Sequence, residues 1–100
     1  MDEVVTTTQV LCVHPSGVRS QVTIQVGRPY LLEDGDAACP VALLGLHDRL
    51  HDVHGVDSLQ ALALALALVR KLLGGFVSNG GQVLLPDGSG EYPLQAFDVG

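Results

Sequence analysis

The 100 residues carry 11 acidic and 5 basic side chains, a formal net charge of −6, and 47 % of them are hydrophobic. That length and apolar content suit one folded domain over residues 1–100 and exclude a disordered chain. Scattered cations on an acidic chain argue against nucleic acid and anionic lipid, which are bound by clustered Lys and Arg, whereas an acidic surface suits another protein, a basic one included.

Val4 to Val13, rich in Val and Thr, is predicted to be a strand. His14-Pro15-Ser16-Gly17 follows as a turn. From Val18 to Val26 the chain alternates, with Val18, Ser20, Val22, Ile24 and Val26 on one face and Arg19, Gln21, Thr23 and Gln25 on the other. The two segments read as a hairpin with one dry and one wet face, the start of an N-terminal β-meander. Gly27-Arg28-Pro29 ends the second strand, because Pro has no N–H for a ladder. Glu33-Asp34-Gly35-Asp36 reads as a turn and Val41–Leu44 as a third strand. Between Gly45 and Gly55 no period of two is visible, and Leu46, Leu50 and Val53 fit a helical turn. With two Tyr, two Phe and no Trp, the core is expected to be aliphatic.

Asp57-Ser58-Leu59-Gln60 has the form of an N-cap followed three residues later by a capping-box partner. Alternating Ala and Leu run on to Leu73. Ala and Leu are strong helix formers, and the run is too long for an ordinary strand, so a helix over about 58–73 is predicted. Arg70 and Lys71 complement the dipole in its last turn, and Gly74-Gly75 supplies the stop. At about 15 residues the segment falls short of the ~20 that cross a bilayer, which makes it a core helix with no membrane role.

At 100° per residue, Leu59, Leu62, Leu66, Val69 and Leu73 share one stripe, expected to pack on the sheet. Leu64, Leu68 and Leu72 form a second stripe nearly opposite, and another surface is expected to cover it: the C-terminal segment with Phe76, Leu94 and Phe97, or a second chain. After the helix, Asn79-Gly80-Gly81 is a loop, Gln82–Leu85 a short strand and Pro86–Gly90 a turn. Tyr92–Phe97 adds a last strand or lies along the surface. The fold class is therefore α+β: an antiparallel sheet of three to five strands, one long helix on its face, then a short C-terminal strand.

His47, His51 and His54, with Asp48 and Asp52, are the candidate metal ligands. On a helix His47 and His51 would share a face at i, i+4 and bind an ion such as Zn²⁺; on a strand they would lie about 13 Å apart and could not. No fixed Cys or Glu motif supports the site, so neither metal nor cofactor is expected. Cys12 and Cys39 have no neighbour in sequence that lowers a thiol pKa and read as small buried thiols. No signal-like start precedes Val4, which suggests the cytoplasm and reduced cysteines. Gly88-Ser89-Gly90 is not a nucleophile elbow, and the glycines of 74–81 have neither P-loop nor dinucleotide spacing. No catalytic motif is present, and the chain is expected not to be an enzyme.

Gly27-Arg28-Pro29, the acidic Gly turn, Cys39-Pro40, Gly45-Leu46 and Gly55-Val56-Asp57-Ser58-Leu59-Gln60-Ala61-Leu62 together resemble a family of small, uncharacterised bacterial proteins of about this length, a domain of unknown function. The likeness runs from Val18 to Leu94. It implies a bacterial source and transfers no activity, cofactor or catalytic residue. The expected function is that of a protein-interaction module, through self-association as a homodimer or with another protein, an immunity-like role included. The alternative is a small metal- or ligand-binding domain built on the three histidines.

Overall fold

The computed structural model describes residues 3–98. Among them are seven strands, one α-helix and a closing 3-10 turn: β1 Val4–Val13, β2 Arg19–Gly27, β3 Tyr30–Leu31, β4 Ala37–Cys39, β5 Val41–Leu44, β6 Val53–Gly55, α1 Ser58–Ser78, β7 Gln82–Leu84 and the turn Leu94–Phe97. The fold is α+β. A four-stranded antiparallel sheet has the order β5-β2-β1-β7 and a three-stranded one the order β3-β4-β6.

The first hairpin closes where His14 N–H donates to Val18 O and Gly17 N–H to His14 O, both at 2.8 Å. Gly17 takes the left-handed φ of +91° that this turn needs. From there β1 and β2 pair from Val13–Arg19 to Thr6–Val26 and, past an irregularity between Thr6 and Val4, at Val4–Gly27. The dry face is the expected one at Val22, Ile24 and Val26, which are buried. Val18 is exposed and precedes the strand.

The second hairpin is longer than its strand assignments suggest. Thr23 to Val26 pair with Leu44 to Val41, and Tyr30 and Leu31 pair with Ala38 and Ala37. Between the two stretches Gly27 N–H still donates to Pro40 O at 2.8 Å. One ribbon thus runs through both sheets. It bends where Pro29 and Pro40, which have no N–H to give, interrupt regular pairing. Its tip is the acidic turn, closed by Leu32 N–H to Asp36 O and by Asp36 N–H to the Asp34 carboxylate, with Gly35 at φ +93°. The second sheet was not visible in the sequence, since strands of two and three residues show no period. Residues 45–55 are not helical. They turn at Gly45–Leu46, form a bridge at His47 and end in β6, which pairs with β4.

Helix α1 begins as its capping chemistry predicts. Asp57 Oδ1 accepts from Gln60 N–H at 2.7 Å. Gln60 Oε1 reaches back one residue further than a capping box requires, to Val56 N–H at 2.8 Å. The helix does not stop at Gly74-Gly75 but continues to Ser78. The stop is at Gly80, φ +96°, where Gly80 N–H donates to Val77 O and Gly81 N–H to Phe76 O, the paired bonds of a Schellman motif. The extra turn brings Phe76 against the core, edge-on to His14 at 5.1 Å between ring centroids. With 21 residues the helix is long and apolar enough to span a bilayer by length and composition, so the length argument made from the sequence does not hold. What marks it as a packed helix is the burial of Ala61, Ala65, Val69 and Leu73 in the core.

That core is aliphatic as expected, built from Val10, Val22, Ile24, Val26, Val41, Leu43, Val69, Leu73 and Val83 with Cys12, Cys39 and alanines. Strand β7 follows the helix and pairs with β1. Tyr92–Phe97 adds no strand: the chain touches β7 through one bridge, Leu84–Glu91, and then forms the 3-10 turn.

Candidate functional site

The way α1 lies on the strands decides what it presents outward. Its buried line is Ala61, Ala65, Val69 and Leu73, four positions at i, i+4 spacing. This line shares Val69 and Leu73 with the first leucine stripe read from the sequence and, through Ala61 and Ala65, turns toward the second. Their inner members, Leu62, Leu68 and Leu72, are half-buried and pack against the core cluster. Their outer members stay in the open: Leu59 is 76 %, Leu64 44 % and Leu66 38 % exposed. Of the expected sheet-facing stripe, Leu62, Val69 and Leu73 meet the core, and the expectation is corrected at Leu59 and Leu66, which face outward. The reason is close approach. A Cβ on Gly55 of β6 would sit 2.5 Å from Ala61 N, so the first turns of α1 lie almost on strand backbone, where alanine fits and leucine does not.

The outer face of α1 is apolar for most of its length. Between Gln60 and Arg70 no residue is polar, and Ala63, Leu64, Leu66 and Ala67 are exposed. Single exposed leucines are ordinary on a protein surface; a continuous apolar strip is not. Charges bound the strip: Asp57 at the start, Arg70 and Lys71 near the end. Arg70 is engaged, donating from Nε and Nη2 to the two carboxylate oxygens of Asp98, each at 3.2 Å. Of the residues expected to meet another surface, Leu64 is the exposed one, while Leu68 and Leu72 are half-covered from below by the molecule's own core.

Two depressions flank the helix and the ribbon. One, of about 590 Å³, lies between the last turns of α1 and the segment after β7, lined by Arg70, Lys71, Gln82, Tyr92 and Gln95 among others. Its guanidinium is already neutralised by Asp98. The other, about 1030 Å³, follows the bend of the ribbon past Tyr30, Leu31, Pro40 and Leu44. There the Tyr30 hydroxyl donates to Asp52 Oδ2 at 2.5 Å, and this bond to a carboxylate pushes the phenol above its usual range.

The histidines do not converge. His47 bridges to Leu43, His51 is an exposed loop residue, and His54 is exposed on β6 opposite Ala38. The helical turn that would have aligned His47 with His51 is absent. Their acidic neighbours are committed elsewhere, Asp48 to Gly45 N–H and Asp52 to Tyr30. Among the described residues no group of three or more His, Cys, Asp and Glu is placed to hold a metal ion. Cys12 and Cys39 are free and buried. Burial pushes both thiols above the ordinary range, and the Asp52 carboxylate adds to the effect at Cys39.

The sequence pointed to Leu64 but missed Leu59, Leu66, Ala63 and Ala67 as outward residues. The signal that finds them is the unbroken apolar run from Ala61 to Val69, too long for any helix with a wet side. No curated protein matches the chain, and no solved structure does. A family model, described as a domain of unknown function (DUF6968), matches residues 7–95. It spans the meander, the bent ribbon, α1 and β7, and the chain belongs to that family.

Proposed function

We propose that this chain is a non-catalytic protein-interaction module whose docking surface is the outer face of α1. The observation that carries the reading is the uncovered apolar face of Ala63, Leu64 and Ala67, with Leu59 and Leu66 open along its far edge, on a helix whose other side packs on the core through Ala61, Ala65, Val69 and Leu73. Fully burying a leucine is worth ~1.5–3 kcal/mol, so covering three that are part exposed recovers roughly 1 kcal/mol each. An ordinary amphipathic helix of a lone domain places charged residues there.

The test is a photoreactive side chain introduced at Ala67, at Ala63 and, as a control, at Asp34 in the ribbon tip. In cells the two helix positions are expected to form a discrete adduct and the tip none, with the adduct lost on Leu64→Asp. Equal yields at helix and tip would overturn the reading.

A further inference from the structure

We infer that the partner of the α1 face is a second copy of this chain, packed helix against helix in antiparallel sense about a two-fold axis at Leu64. The inference rests on the interaction reading above and names the partner for it.

Asp57, Leu64 and Lys71 follow one another at intervals of seven residues. A heptad is close to two helical turns, so the three stand in one column along a single flank of α1. All three are exposed. A two-fold axis through Leu64 inverts the column onto itself. Leu64 meets Leu64 of the second copy, Asp57 meets its Lys71, and Lys71 meets its Asp57. A parallel pair would instead set Asp57 on Asp57 and Lys71 on Lys71. The column is thus complementary to itself in one arrangement only, which is the defining property of an isologous interface.

Both charges are available for that contact. Asp57 uses Oδ1 for the helix cap, and the described hydrogen bonds leave Oδ2 without a partner. Lys71 takes part in neither of the ion pairs found among the described residues, Arg28–Glu3 and Arg70–Asp98. Beside the column lies Ala67, also exposed, whose small side chain lets two helix axes approach. A foreign partner would need no such inversion symmetry. An anionic bilayer would be repelled by a chain of net charge −6 with an acidic residue at one end of the strip. The helix is about 31 Å long at 1.5 Å per residue. A contact along it alone lies at the low end of stable interfaces, so the dimer is expected to be concentration-dependent.

Sedimentation velocity on the purified full chain across a micromolar to submillimolar range is expected to show reversible doubling of mass. Lys71→Glu and Asp57→Lys are each expected to weaken pairing about ten-fold or more alone, and an equimolar mixture of the two to pair again, because the mixed dimer restores both oppositely charged contacts. Asp57→Lys removes a helix cap, so circular dichroism is read alongside. Leu64→Cys provides an arm that leaves the cap intact: mild oxidation is expected to give a disulfide-linked dimer, and Leu59→Cys none. A monomer at every concentration, pairing that ignores Lys71→Glu, or oxidation that links Leu59→Cys as readily as Leu64→Cys would overturn the inference. Photo-adducts of a different chain, or helix-dependent binding of the monomer to phospholipid vesicles, would do the same. A foreign-chain adduct would leave the interaction reading standing; the absence of any position-specific adduct would remove both.

Discussion

Gly55 has no room for a side chain. A Cβ there would lie 2.5 Å from Ala61 N and 2.9 Å from Ala61 Cα, and neither atom can rotate away because both are backbone. Gly55→Ala must therefore push α1 off β6. Strain of this kind costs about 1–3 kcal/mol or more, and urea unfolding is expected to show it as a lower midpoint with an unchanged slope. Gly75, with open space around its Cα, is the matched control: Gly75→Ala is expected to stabilise by up to about 1 kcal/mol, the helix-propensity difference. The buried thiols make a second residue-scale prediction. Burial holds the Cys12 and Cys39 pKa values above those of the unfolded chain, so the folded state keeps its protons longer as pH rises. Stability is then fully present below the ordinary thiol pKa of about 8.5 and falls as pH climbs above it toward the folded values. Unfolding midpoints between neutral pH and pH ~10 check the sign, and Cys12→Ala with Cys39→Ala should remove that part of the slope.

At the scale of elements, α1 shows what a pattern can and cannot reveal. Its start was legible because Asp57 caps Gln60 N–H locally, with no help from the rest of the fold. Its end was not: Gly74 and Gly75 read as a stop, yet Phe76 beyond them gains the core and the true stop is the Schellman turn at Gly80. Its orientation is hidden for a similar reason. Ranking leucine above alanine as the buried residue ignores the nearness of β6, which favours Ala61 and Ala65. Ala65→Leu is accordingly expected to destabilise by about 1–3 kcal/mol through overpacking, while Leu59→Gln, at 76 % exposure, stays within about 0.5 kcal/mol. The opposite ranking in thermal unfolding would mean that the helix is rotated. The small sheet has no signature in the sequence, since β3, β4 and β6 are defined by their neighbours and carry no period of their own. Leu64 could be found from the sequence as an outward residue because it lies far from the Val69–Leu73 side on any wheel.

For the molecule as a whole, acidity and an uncovered apolar strip pull in opposite directions. The net charge of −6 opposes association of copies at neutral pH, and this opposition vanishes near the sequence isoelectric point of about 4.8. Turbidity is expected to peak near that pH, and Leu59→Lys with Leu66→Lys should suppress the peak by interrupting the strip and raising the isoelectric point. A peak that these changes merely move to their new isoelectric pH, at undiminished height, would show that the strip plays no part in association.

The ribbon from Thr23 to Leu44 passes through both layers with a one-residue change of register: Val26 faces Val41, while Tyr30 faces Ala38. The acidic tip therefore sets the alignment of the small sheet, and Arg28 and Pro29, two residues opposite Cys39 alone, separate it from that of the large one. Losing one residue between Leu32 and Asp36 would displace Tyr30 against Ala38 and set β3 out of step with β4, while the change of register at the prolines separates this slip from Ile24 and Leu43. A lesion in this exposed loop borders the fully buried Ala37 and Ala38 and would in this molecule act on the core.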